Sequence, residues 1–141
     1  MINKRNSLVA AAVALAFAAG LTAGRMAGAE TAPVKFSNVL QSDLQNLPGQ
    51  ETIVQALEVA PGAIMPWHMH PDGHEIAYVV EGSAVLELDG QPARTFKAGE
   101  GWHIQANVPH GGRNGSTTEP VRLVIVRIKP KDKPAAVPVK K

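Results

Sequence analysis

GAIMPWHMHPDGHEIAYVVEG, residues 62–82, decides how this chain is read. Inside it, HMHPDGHE (68–75) gathers three of the five histidines and a glutamate into eight positions, just ahead of a run rich in strand-forming residues. His68 and His70 are two apart. On a strand, whose side chains alternate, both project from one face; on a helix they would diverge by roughly 200°. Pro71-Asp72-Gly73 reads as a turn, so Glu75, opening the next strand, returns beside the two imidazoles at little loop-closure cost. His74, next to Glu75, is turned to the opposite face by the same alternation. A fourth group, His110, follows Asn107-Val108-Pro109 at the end of a later strand, from which a second sheet could carry it over the same cavity. Neutral imidazoles with one hard carboxylate suit a first-row divalent ion that keeps open positions. Acid–base catalysis alone does not need so many groups. A histidine-rich surface loop accounts for any one of them, but not for their joint spacing.

The rest of the chain supports strands. Residues 52–60, 74–80, 84–89, 102–105 and 121–128 are short and rich in Val, Ile and Leu, with no long stretch of helical period. Pro61-Gly62, Glu81-Gly82, Asp89-Gly90, Ala98-Gly99 and Gly111-Gly112 punctuate them as turns. This pattern predicts an all-β antiparallel sandwich or barrel. Gly62, Gly82 and Gly99 are read as relieving backbone constraint at strand ends. Residues 30–50 form a lead-in that adds a strand and a helical turn within the limits set by Pro33 and Pro48.

At 141 residues the chain has room for one ordinary domain. Its start reads as an export signal over residues 1–29: basic Lys4 and Arg5, an apolar run over 8–21, and small residues at Ala27-Gly28-Ala29. The expectation is a periplasmic or secreted protein without stable membrane contact; the alternative is an uncleaved anchor, for which the apolar run is short. No cysteine is present, which excludes disulfides, thiolate-bound metal and a lipoprotein anchor. The formal charge of +2 loses Lys4, Arg5 and Arg25 with the signal, leaving 11 basic against 12 acidic side chains. Five of the lysines sit in residues 129–141 (KPKDKPAAVPVKK), a Pro/Lys tail expected to be disordered or loosely docked. The acidic remainder is a poor match for nucleic acid.

Residues 62–82 resemble the first motif of the cupin family: glycine, five residues, His-x-His, four residues, Glu, six residues, glycine, here without departure. Residues 99–114 resemble its second motif, ending in His110, three residues and Asn114; Gln105 stands where that motif has proline, and Asn107 where it has glycine. Asn, like Gly, tolerates a left-handed backbone. The resemblance spans roughly residues 54–128. It implies a double-stranded β-helix, a jelly-roll-like barrel over residues 51–128, holding one divalent transition metal (Fe, Mn, Ni, Cu or Zn) through His68, His70, Glu75 and His110. Dioxygenase, decarboxylase and isomerase activities on small oxygenated molecules occur in that family, as does association into homodimers.

Other residues have candidate roles. His103 could face the cavity as a proton shuttle, and Gln55 and Gln105 could orient a substrate oxygen. Arg113 is the candidate cation for a substrate carboxylate. Trp67 and Trp102 could wall a pocket or pack between sheets. Neither a phosphate-cradling glycine loop nor a Ser-His-Asp set is present. Two function classes follow: a metal-dependent enzyme, or a non-enzymatic metal and small-molecule binding or sensing protein.

Overall fold

The computed structural model describes residues 33–141; the export segment expected over 1–29 lies outside the described residues. Ten strands follow in order: β1 (Val34–Asp43), β2 (Gln50–Val59), β3 (Ile64–Met69), β4 (His74–Glu81), β5 (Ser83–Leu88), β6 (Arg94–Lys97), β7 (Gly101–Ile104), β8 (His110–Asn114), β9 (Val121–Pro130) and β10 (Val137–Pro138). They make two five-stranded antiparallel sheets, β1-β2-β9-β4-β7 and β10-β3-β8-β5-β6. The all-β reading holds. The two sheets are separate in their hydrogen bonding rather than one closed wall. No helix among the described residues is long and apolar enough to cross a membrane.

Alternation along the strands builds the core. In β9, Val121, Leu123 and Ile125 are buried while their neighbours in sequence are not, and they meet Leu57 and Val59 of β2, Ala77 and Val79 of β4, and Leu86 and Phe96 from the other sheet. The same parity carries two charged residues inward further along β9, Arg127 and Lys129, 8 % and 4 % exposed. Lys129 Nζ donates to Glu51 Oε1 at 2.7 Å. Arg127 Nη2 donates instead to Glu75.

Several turns behave as their residues predict. Gly62, Gly82 and Gly99 all have positive φ, and a Cβ on Gly82 would come within 2.7 Å of the Pro120 carbonyl oxygen. Asn107, standing where the second motif has glycine, adopts φ 63°. The lead-in does form a strand, β1, but residues 44–49 are turns and contain no helix.

Of the two expectations for the tail, disordered or loosely docked, the structure shows a docked segment. Val137 and Pro138 pair with Met69 and His68 of β3, the Val139 amide donates to the Trp67 carbonyl at 3.1 Å, and Lys141 Nζ lies 4.7 Å over the Trp67 ring. Composition misleads here because the docking runs through backbone hydrogen bonds to a free sheet edge, which proline- and lysine-rich chain can supply without any apolar period. The folded body accordingly extends on both sides of the expected 51–128.

Candidate metal centre

Because the chain passes back and forth between the sheets, the first motif is split between them. His68 lies on β3, paired in register with His110 on the adjacent β8, while Glu75 lies on β4 of the facing sheet. His70 follows the end of β3 at the turn. The four candidate ligand atoms of His68, His70, Glu75 and His110 all lie within 4.8 Å of one another, a grouping that could hold a single metal ion.

Each imidazole is oriented from behind. His68 Nδ1 is 2.8 Å from the Pro66 carbonyl oxygen, His110 Nδ1 is 2.9 Å from that of Val108, and His70 Nδ1 contacts that of Ala135 in the docked tail. A carbonyl can only accept, so each Nδ1 carries the hydrogen and each Nε2 is left to face the cluster. Such outer partners fix ring orientation and raise ligand basicity. The loops are held together as well: the Asp72 amide donates to Asn107 Oδ1 and Asn107 Nδ2 donates to Asp72 Oδ1, both at 3.0 Å, and the Asn107 amide donates to the His70 carbonyl. Asp72 shares the left-handed backbone of Asn107, with φ 54°. This clasp joins the turn after His70 to the turn before His110.

The site asks for a cation. Four buried side-chain nitrogens among the described residues lack a hydrogen-bond partner: His70 Nε2, His110 Nε2, Arg127 Nε and Trp102 Nε1. All belong to the cluster or to the cavity beside it, and such orphans in a native fold point to an absent ion or ligand. His70 Nε2 also lies 3.0 Å from Glu75 Oε2. With Nδ1 committed to Ala135, a proton or a metal ion must sit between these two acceptors. The residues present therefore fit a divalent metal.

Protonation states agree with that role. Burial disfavours the imidazolium of His110 and, with the nearby His68, takes its pKa down to about 4 despite the Val108 carbonyl; burial lowers His68 as well. Burial opposes ionisation of Glu75, but contact with His70 and the Arg127 guanidinium outweigh it, holding the carboxyl at about 2. Folding thus binds fewer protons than the unfolded chain between pH 6.5 and about 4 through His110, and between 4.5 and about 2 through Glu75. Stability of the metal-free protein is expected to be complete above pH 6.5 and to fall as pH drops through these windows. Thermal unfolding of chelator-treated protein from pH 7.5 to 3.5 measures this; the upper limb should flatten in a His110→Gln variant, and a profile that is level throughout would contradict it.

The remaining expectations divide. Gln55 does face inward, where its Oε1 accepts from Arg127 Nη1 while its Nε2 donates to Asn38 Oδ1 at 2.7 Å. His103 does not face the cavity: it is exposed on the outer face, stacked on His74 with a Nδ1(His74)···Nε2(His103) contact of 3.1 Å. Its register opposite Ile76, rather than Glu75, is the reason. Gln105 is exposed in the loop after β7. Arg113 points outward to Glu87 at 2.9 Å, since it stands at odd spacing from His110. Trp67 and Trp102 both line the cavity, Trp67 against Gly111, where a Cβ would meet its ring at 3.1 Å.

Arg127 is the residue the sequence reading missed. It is the cross-strand neighbour of Glu75, and its Nη2 donates to Glu75 Oε2 at 2.9 Å. The signal was present in VRLVIVRI: Arg127 shares the parity of Val121, Leu123 and Ile125, whereas Arg122 does not.

Two antiparallel sheets thus bring three imidazoles and a carboxylate together in a cluster able to hold one metal ion. The family model for the Cupin domain, Cupin_2, matches residues 56–127, and the chain belongs to this family. Germin-like protein 3-3 of Oryza sativa subsp. japonica is 29 % identical over 98 residues, 62 % of this chain and 43 % of the relative, so the match spans less than half of that protein. An uncharacterized conserved protein with a double-stranded β-helix domain from Klebsiella pneumoniae subsp. pneumoniae superposes with TM-score 0.64 at 22 % identity, covering 79 % of this chain and 83 % of the other. The polyketide cyclase RemF of Streptomyces resistomycificus gives TM-score 0.60 at 24 % identity, over 77 % and 72 %. At these identities the structures share the fold.

Proposed function

We propose that this protein binds one divalent transition metal through His68, His70, Glu75 and His110 and acts as a metal-dependent enzyme on a small oxygenated organic molecule, with dioxygenase, decarboxylase and isomerase chemistry as the candidate reaction types. The observation that carries the reading is the convergence of unpartnered Nε2 atoms beside Glu75. A bound ion would supply Lewis acidity or, if redox-active, electron transfer. The chain's part is to hold the imidazoles neutral and aimed, to keep Glu75 charged through Arg127, and to exclude water with an apolar wall.

Metal analysis of protein purified without added metal tests this, beside His68→Ala and His110→Ala. The expected result is about one ion per chain, lost in both variants; less than about half an ion per chain, unchanged by substitution, would sink it.

A second reading, a non-enzymatic binding or sensing protein, is favoured by the lack of further acid–base groups on the cavity wall, where, among the described residues, His68, His110, Glu75 and Arg127 are the only ionisable side chains. Oxygen uptake and substrate-loss screens with catechols, flavonols, β-diketones and uronates separate the two. Turnover abolished by Glu75→Ala removes the second reading.

Other parts of the proposal rest on sequence and surface. They are export to the periplasm or outside the cell, a small molecule rather than nucleic acid as partner, closure of the two sheets as a double-stranded β-helix, and a homodimer. The exposed Ile76, Tyr78 and Val80 on one face of β4 favour self-association.

A further inference from the structure

Resting on the metal reading above, we propose that the cavity beside the cluster selects an apolar molecule with a single anionic oxygen head, against both polyhydroxylated acids and neutral apolar molecules. The cavity holds about 310 Å³, on the order of ten waters at ~30 Å³ each. Leu57, Met65, Leu86, Leu123, Ile125 and Val137 make much of its wall. A ligand hydroxyl brought against these side chains gives up water and finds no partner.

Charge selects the head. The wall carries one carboxylate, Glu75, and one guanidinium, Arg127, and the two are already paired at 2.9 Å. With every Nδ1 hydrogen committed to a carbonyl, the imidazoles that hold a metal are neutral. A divalent ion therefore enters with a charge that nothing else on the wall offsets, in surroundings where an uncompensated charge is costly. A single anionic head on the ligand offsets half of that charge and so lowers the cost, whereas a neutral isostere offsets none of it. Two donors stand ready for its oxygens: Arg127 Nε, on a side chain more than nine-tenths buried, and Trp102 Nε1.

The test uses the full chain loaded with zinc, which is redox-inert, and calorimetric titration with three probes of graded chemistry: 2-naphthoate, 2-naphthalenemethanol and gluconate. Naphthoate is expected to bind tighter than each of the others by about tenfold or more. Gluconate binding as tightly overturns the apolar requirement, the neutral alcohol binding as tightly overturns the anionic one, and no detectable binding by any probe at millimolar concentration overturns the whole inference. A zinc titration run first keeps the two levels apart. Failure to take up zinc is failure of the metal reading, while zinc uptake followed by the wrong ranking is failure of this one alone.

Discussion

Arg127→Met is expected to destabilise the metal-free protein by about 3–5 kcal/mol, because it removes one partner of a buried ion pair and leaves the other charged. Glu75 is 5 % exposed and Arg127 8 %, so water cannot replace the lost guanidinium. Methionine keeps much of the volume and the unbranched stem, which isolates the electrostatic loss from a cavity. The Gln55 side chain loses its donor at the same time. Chemical denaturation of chelator-treated wild type and variant measures the difference. Adding zinc should recover part of it, since the ion offers Glu75 a second source of positive charge. Arg113→Met is the control: that guanidinium also pairs with a glutamate at 2.9 Å, but it is 48 % exposed, and its loss should hardly register. A loss from Arg127→Met no larger than from Arg113→Met would show that burial does not set the strength of the inner pair.

Removing residues 135–141 is expected to weaken metal binding by about 10–100-fold while the fold survives, the range usual when a ligating histidine loses its outer partner. The deletion takes away the Ala135 carbonyl behind His70, the β10 pairing next to His68, and the wall formed by Ala136, Val137 and Pro138. None of these residues belongs to the hydrophobic core, so the sheets should persist in a far-ultraviolet spectrum. Deleting only Lys140 and Lys141 spares all three contributions and should leave affinity near that of the full chain. Competition with a chromophoric chelator reads both variants. Equal affinity after the longer deletion would mean that the tail is packing only.

Most of the site was legible because the period of a strand is two. The spacing of His68 and His70 and the Asn at 107 carry their geometry in the sequence itself, whereas Glu75 arrives on β4 of the facing sheet and not as the return strand of a hairpin with β3. The strands named β2, β4, β5, β7 and β9 are visible from apolar runs bounded by turns. The same parity sorts the remaining candidates. Counting from His110 excludes Arg113, counting along β7 excludes His103, and counting along β9 admits Arg127. The tail was illegible for a different reason. Its contribution to His70 is a main-chain carbonyl, which any residue at position 135 would provide, so no side-chain pattern announces it.

The hydrogen bonds of Gln55 have one more consequence. Its amide can present oxygen to Arg127 only by presenting nitrogen to Asn38, so the orientation of each group fixes the next. Glu75 on β4, Arg127 on β9, Gln55 on β2 and Asn38 on β1 thus form a directional relay across four neighbouring strands. Its outer end lies on the edge strand, beside the register shift between Asn38 and Leu40. Among the described residues, the outermost strand of this sheet and the carboxylate of the candidate metal centre are therefore three side-chain hydrogen bonds apart.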